Sequence, residues 1–159
     1  MSSMVAMWRK SLSQLIRMDD KREWDALDVF SKWFIATRSA VTTVTLYSGL
    51  IGGLLAWQFL FAQHKPFNLL AWAIVTIGLF LAHGTNNLLN DFTDFSRGID
   101  KDNYFRTQYG VHPLAQGFWS KRTHLVWFAV SGFLATLAGV YAMFYTHFAP
   151  VVVWLFVFG

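Results

Sequence analysis

The sequence predicts an all-α, polytopic transmembrane helical bundle, and three observations lead there. Hydrophobic residues make up 55% of the 159 and aromatic residues 18%, and mean hydropathy is positive. These residues fall into blocks: Val41–Ala62, Phe67–Ala82 and Leu125–Thr146 contain no Asp, Glu, Lys or Arg. A hydrocarbon layer of about 30 Å takes roughly 20 helical residues to cross. The first and third blocks have that length alone, and the second reaches it if the helix continues through His83–Leu89. The third observation is where the charges lie. Of the 13 Lys and Arg residues, seven fall in Met1–Arg38 and five in Asn90–Thr123, with only Lys65 between the first two blocks. Positive residues are retained on the cytoplasmic side. The N-terminus and the Asn90–Thr123 loop are therefore expected together on that side, along an in, out, in, out path. Topology accounts for the net charge of +4, so the expected partner is the lipid bilayer and not nucleic acid. The absence of cysteine excludes a disulfide framework and thiolate metal sites.

In chain order, residues 1–38 mix both signs of charge (MDDKREWDALD) and lack the apolar core of a signal peptide. Trp24, Leu27, Phe30, Phe34 and Ile35 recur at helical spacing, which predicts a short amphipathic helix on the cytoplasmic membrane face. The alternative is an unstructured leader. Residues 39–159 then form the membrane domain, with spans at about 41–62, 67–95 and 123–146. Gly49 and Gly53, with Ser48 and Gly52 beside them, give the small-residue spacing that lets helices approach closely, as do Gly132, Ala135, Thr136 and Gly139. A helix over Phe148–Gly159 would cover about 18 Å, short of the layer's thickness. A partial fourth span, cut partway through, is expected there; a re-entrant segment or a partner chain that completes the bundle are the alternatives. Among the histidines only His83 lies well inside a span, about two turns before Asn90. It is expected to hydrogen-bond inside the bundle, since a haem would need axial histidines at matched depth on different spans. Trp119, Trp127 and Tyr141 near span ends suit an interfacial aromatic belt.

The chemistry-bearing stretch is NNLLNDFTDFSRGID, Asn86–Asp100. If the second span stays helical through about Phe95, Asn86, Asn90 and Asp94 share one face, and Asn87, Asp91 and Asp94 an adjacent line. Gly98 is the expected terminator, with Asp100 beyond it. Acids at a helix C-terminus each cost about 0.3 kcal/mol or more, and Asp91 and Asp94, three apart, repel. A divalent cation would reverse those terms. Carboxylates and an amide oxygen, a few at a time, suit Mg²⁺, which keeps waters and shares phosphate oxygens with a substrate. Arg97 and Lys101 lie within a few residues of the acids, and such side chains grip phosphate. Arg106, Lys121 and Arg122 read as ordinary cytoplasmic loop residues. The alternative for the whole cluster is a solvated helix end capped by Asp and Asn.

The run Asn90-Asp91-Phe92-Thr93-Asp94-Phe95-Ser96-Arg97-Gly98-Ile99-Asp100 resembles the first aspartate-rich motif of the UbiA superfamily of intramembrane prenyltransferases. It is nearest the 1,4-dihydroxy-2-naphthoate branch that makes menaquinone. Thr37-Arg38-Ser39, with Gly49, Gly52 and Gly53 inside the first span, is similar to that family's opening segment, although Ser39 stands where the family has Pro. His112-Pro113-Leu114-Ala115-Gln116-Gly117 is similar to its segment before the third span, with His112 in place of Arg. The resemblance covers residues 37–159, the N-terminal half of a nine-span fold, without the second aspartate motif. It implies Mg²⁺-dependent transfer of an isoprenyl group from an isoprenyl diphosphate to an aromatic acceptor. On that basis Asn90 and Asp94 would be the catalytic metal ligands, and Asp91 and Asp100 would support them or bind a second ion. Arg97 and Lys101 would meet diphosphate, and Arg38, Asn86 and Asn87 would line the substrate cavity. A second chain could supply the other half, and this chain alone is expected to have little turnover. The competing expectation is a non-catalytic segment that packs against or regulates a membrane partner. CDP-alcohol phosphotransferases, which also use membrane-edge aspartates, carry a DG…AR spacing absent here.

Overall fold

Three long helices occupy the charge-free blocks. The computed structural model describes residues 2–99 and 110–158, and every regular element among them is helical. The order is α1 (Ser2–Ser13), α2 (Lys21–Asp25), α3 (Val29–Ala36), α4 (Ser39–Ala62), α5 (Leu69–Ser96), α6 (Lys121–Tyr145) and α7 (Pro150–Phe158). α4, α5 and α6 are each long and apolar enough to cross a membrane. At 1.5 Å per residue they run about 36, 42 and 38 Å.

Their ends follow from local chemistry. The Asn68 side chain accepts the Ala71 N–H at the start of α5, and Ser120 accepts that of Thr123 at the start of α6. At the far end of α5, Gly98 takes φ +70. Its N–H donates to the Phe95 carbonyl and that of Ile99 to Asp94. This is the paired closure that a left-handed residue allows, and glycine adopts it without a Cβ clash.

α5 is the central helix, packed along both α4 and α6. Small residues make the approach possible. A side chain added at Gly78 would strike the Ala138 methyl, and one at Gly49 or Gly53 would strike Thr76 or Trp72. The Trp72 indole N–H donates to the Gly49 carbonyl at 2.7 Å. His83 hydrogen-bonds Thr45 across the α4–α5 seam at 2.8 Å. Away from these seams the spans turn large apolar side chains outward, Phe59, Phe61 and Phe133 among them, as a surface facing hydrocarbon does. α7 packs onto α6, with Phe156 against Gly139, and buries none of its own residues.

The buried core lies at the end of α5, not midway along the spans. Ile16, Met18, Trp24, Ile35, Ala36, Leu88, Val111 and Phe118 cluster there. Trp24 stacks on Phe118 at 5.7 Å and meets Trp119 edge-on at 5.4 Å. The Val111 N–H donates to the Ile16 carbonyl, tying the segment before α6 to the N-terminal layer. Two sequence expectations change here. The amphipathic helix expected across Trp24–Ile35 is divided into α2 and α3. Asp28 interrupts it, because its carboxylate caps α3 by accepting the Phe30 and Ser31 amides, and Asp is worth more as a cap than inside a helix. Trp119, expected at a lipid interface, is half-buried and packs against Trp24 and His124. Burial pushes the Asp28 carboxyl up. The hydrogen bonds from Ser31, from the Trp8 indole and from the two amides together outweigh it and hold the group below its ordinary value.

Candidate functional site at the end of the second span

The joint between α3 and α4 is two residues long, and Arg38 crosses it in the left-handed conformation, φ 53 and ψ 50. An L residue with a long side chain enters that region at a cost of roughly 1 kcal/mol. Thr37 braces the joint, its hydroxyl donating to the Trp33 carbonyl at 2.8 Å and lying 2.9 Å from the Ser39 hydroxyl. Asn87 of α5 donates its amide to the Thr37 carbonyl at 2.8 Å. The bend sends the Arg38 side chain across to the last turns of α5.

There the guanidinium forms an ion pair with the Asp91 carboxylate. Asp91 is buried, and Arg38 is largely covered. The same guanidinium nitrogen lies 3.3 Å from Nδ1 of buried His112. A guanidinium can only donate, so this contact makes Nδ1 an acceptor and puts the proton of a neutral His112 on Nε2. Nδ1 stands 3.7 Å from the Asp91 carboxylate, beyond hydrogen-bond distance. Gln116 fixes the histidine's backbone: its side-chain oxygen accepts the His112 N–H at 2.9 Å, and its amide donates to the Met18 carbonyl at 3.0 Å. Three stretches far apart in sequence, Thr37–Ser39, Asn90–Ile99 and His112–Gly117, thus meet around one buried charge cluster.

The residues singled out from the sequence divide by exposure. Asp91 and Arg38 are the buried pair, and Asn87 ties α5 to the α3–α4 joint. Asn86, Asn90 and Arg97 are exposed, and Asp94 is half-buried. Asn90 and Asp94 stand one turn apart on α5. Asp100 and Lys101 lie outside the described residues. Sequence reasoning missed His124, which is fully buried, hydrogen-bonds the Leu88 carbonyl at 2.7 Å and stacks near Phe92. It also missed Gln116 as the brace of His112. No spacing rule pairs His124 with Leu88 or Gln116 with Met18, which lie 36 and 98 residues apart.

As a fit for a divalent cation, the described residues supply oxygen donors of the right hardness at Asn90 and Asp94. No group of three His, Cys, Asp or Glu close enough to hold a metal is present among the described residues. Such an ion would therefore take its remaining ligands from water, substrate or other residues.

This fold, three apolar helices of spanning length capped by a polar and aromatic layer, defines a multi-pass integral membrane protein. No family model matches the chain, nor does any curated protein or solved structure.

Proposed function

We propose that this chain carries the first metal–diphosphate half-site of an intramembrane prenyltransferase of the UbiA type. The reaction is transfer of an isoprenyl group from its diphosphate to an aromatic acceptor, of the naphthoate kind used in menaquinone formation. The observation that supports it most is convergence: the three segments that carry the sequence resemblance meet around Arg38, Asp91 and His112. In this assignment Asn90 and Asp94 hold Mg²⁺ with water and diphosphate oxygens, and Arg97 and Lys101 receive the diphosphate. Asp91 and Asp100 support the set, Asp91 by fixing the last turns of α5 against Arg38. Asn86 lies one turn before Asn90 on the side where the isoprenoid would enter. Bound magnesium would supply charge stabilisation for the departing diphosphate. The N-terminal layer and the acidic turn face the cytoplasm, following the distribution of Lys and Arg. A second aspartate-rich set, from further spans or a second chain, completes the active site.

The test is calorimetric titration of farnesyl diphosphate into the detergent-solubilised protein, with and without MgCl₂. Uptake is expected to depend on magnesium, and Asp94→Ala to remove that dependence. Equal uptake with and without magnesium would refute the assignment. The engagement of Asp91 by Arg38 also favours a second reading, a non-catalytic segment that docks a membrane partner and uses the cluster only as a pin. That reading requires no magnesium-linked uptake at all.

A further inference from the structure

The N-terminal helix does more than cover the bundle. α1 packs beside the first two turns of α4, and between them lies an open groove of about 760 Å³, within the roughly 300–1,000 Å³ of small-molecule sites. Val5, Leu12, Val41 and Val44 line it with hydrocarbon, Tyr47 stands at its side, and Arg9 is the charged residue lining it. Its other polar groups are largely committed elsewhere. The Trp8 indole donates to Asp28 at 3.0 Å, the Thr43 hydroxyl to the Leu12 carbonyl at 3.0 Å, and the Ser13 hydroxyl to the Lys10 carbonyl at 3.2 Å. The first two of these bonds tie α1 to the N-cap of α3 and to α4.

We infer that this groove binds an anionic glycerophospholipid, with an acyl chain against Val41 and Val44 and the phosphate at Arg9. Three features select that occupant. One wall is the end of a helix of membrane-spanning length and composition, so the groove opens where hydrocarbon meets headgroups. Its walls are apolar with a cation lining them, and among the lining residues there is no carboxylate. The surrounding segment is basic: Arg9, Lys10 and Arg17 precede the first acid in the chain, Asp19, and basic residues beside a span attract anionic lipid. Guanidinium also meets a phosphate oxygen pair in fork geometry. This site is separate from the acidic turn of α5 and does not depend on prenyl transfer.

The experiment is native mass spectrometry of the full chain in mild detergent, with equal amounts of phosphatidylglycerol and phosphatidylcholine. The parent is expected to retain phosphatidylglycerol in preference. Arg9→Gln, an exposed change on α1, should lower that retention about fivefold, the effect of roughly one basic residue near an anionic surface, and leave phosphatidylcholine unchanged. Val44→Trp, which fills the groove, should reduce retention of both lipids. Equal retention of the two lipids by the parent would overturn the inference. So would retention indifferent to both substitutions, or a lipid-free dimer, which would assign the groove to a second copy of the chain.

Discussion

The middle of the three spans and the end of α5 are built by opposite rules. Along the spans, Phe59 and Phe133 point outward and small residues such as Gly78 lie between helices. Apolar side chains there gain nothing from leaving hydrocarbon, so close packing and internal hydrogen bonds hold the helices together. At the end of α5, aromatic side chains turn inward, and an Arg–Asp pair with a buried carboxylate lies there too. There water is near, burial of apolar area is the driving force, and a charge can be enclosed only with a partner. The difference implies that mutational sensitivity is concentrated at one end of the molecule.

The largest contrast is between Trp24 and Phe59. Trp24 is 2% exposed and Phe59 66%. Truncating Trp24 to Ala should cost about 3–5 kcal/mol, whereas Phe59→Ala should change stability by about 0.5 kcal/mol or less. Reversible denaturation of the detergent-solubilised protein would measure both, and equal costs would erase the distinction between the two regions.

Next in size comes the charge cluster. Asp91→Ala leaves Arg38 enclosed without its carboxylate and should cost about 3 kcal/mol, while the double replacement Arg38→Met, Asp91→Leu should restore most of the loss. Asp94→Ala, at a half-buried position, should cost far less in the same assay. If Asp91→Ala and Asp94→Ala destabilise alike, the distinction drawn between buried Asp91 and half-buried Asp94 is wrong.

A smaller effect sharpens the account of the N-terminal layer. Asp28→Ala removes the α3 cap and should cost about 1 kcal/mol. Because hydrogen bonding depresses the Asp28 carboxyl in the folded protein, its contribution is complete above the ordinary value of 3.8 and fades as pH falls through the lower folded value. Asp28→Asn should flatten that part of an acid-unfolding curve, and an unchanged curve would contradict the assignment.

The spans were legible in the sequence because charge-free length is a local property. Helix ends were legible for the same reason: Gly98 stops α5 where its backbone freedom said it would. The site was legible only in part. The asparagines and acids of α5 stand out by residue type and spacing, but the partner of Asp91 is fixed by a left-handed residue in a two-residue joint far upstream. The packing of Trp119 against Trp24 was not legible, because a tryptophan near a span end looks the same in sequence whether it faces lipid headgroups or a covering loop. What distinguishes the two environments is the packing of residues 110–120 over the N-terminal layer, a long-range contact with no periodic signal.

In the proposed function, Asn90 and Asp94 at the end of α5 take a divalent ion together with an isoprenyl diphosphate. Electron paramagnetic resonance of Mn²⁺, used in place of Mg²⁺ and titrated into the protein with farnesyl diphosphate present, tests it most directly. The parent should bind the ion. Asn90→Ala and Asp94→Ala, still folded, should weaken binding by at least the roughly 10- to 100-fold that loss of an outer-sphere partner costs a metal site. Mn²⁺ binding by Asp94→Ala as tight as by the parent would contradict the account.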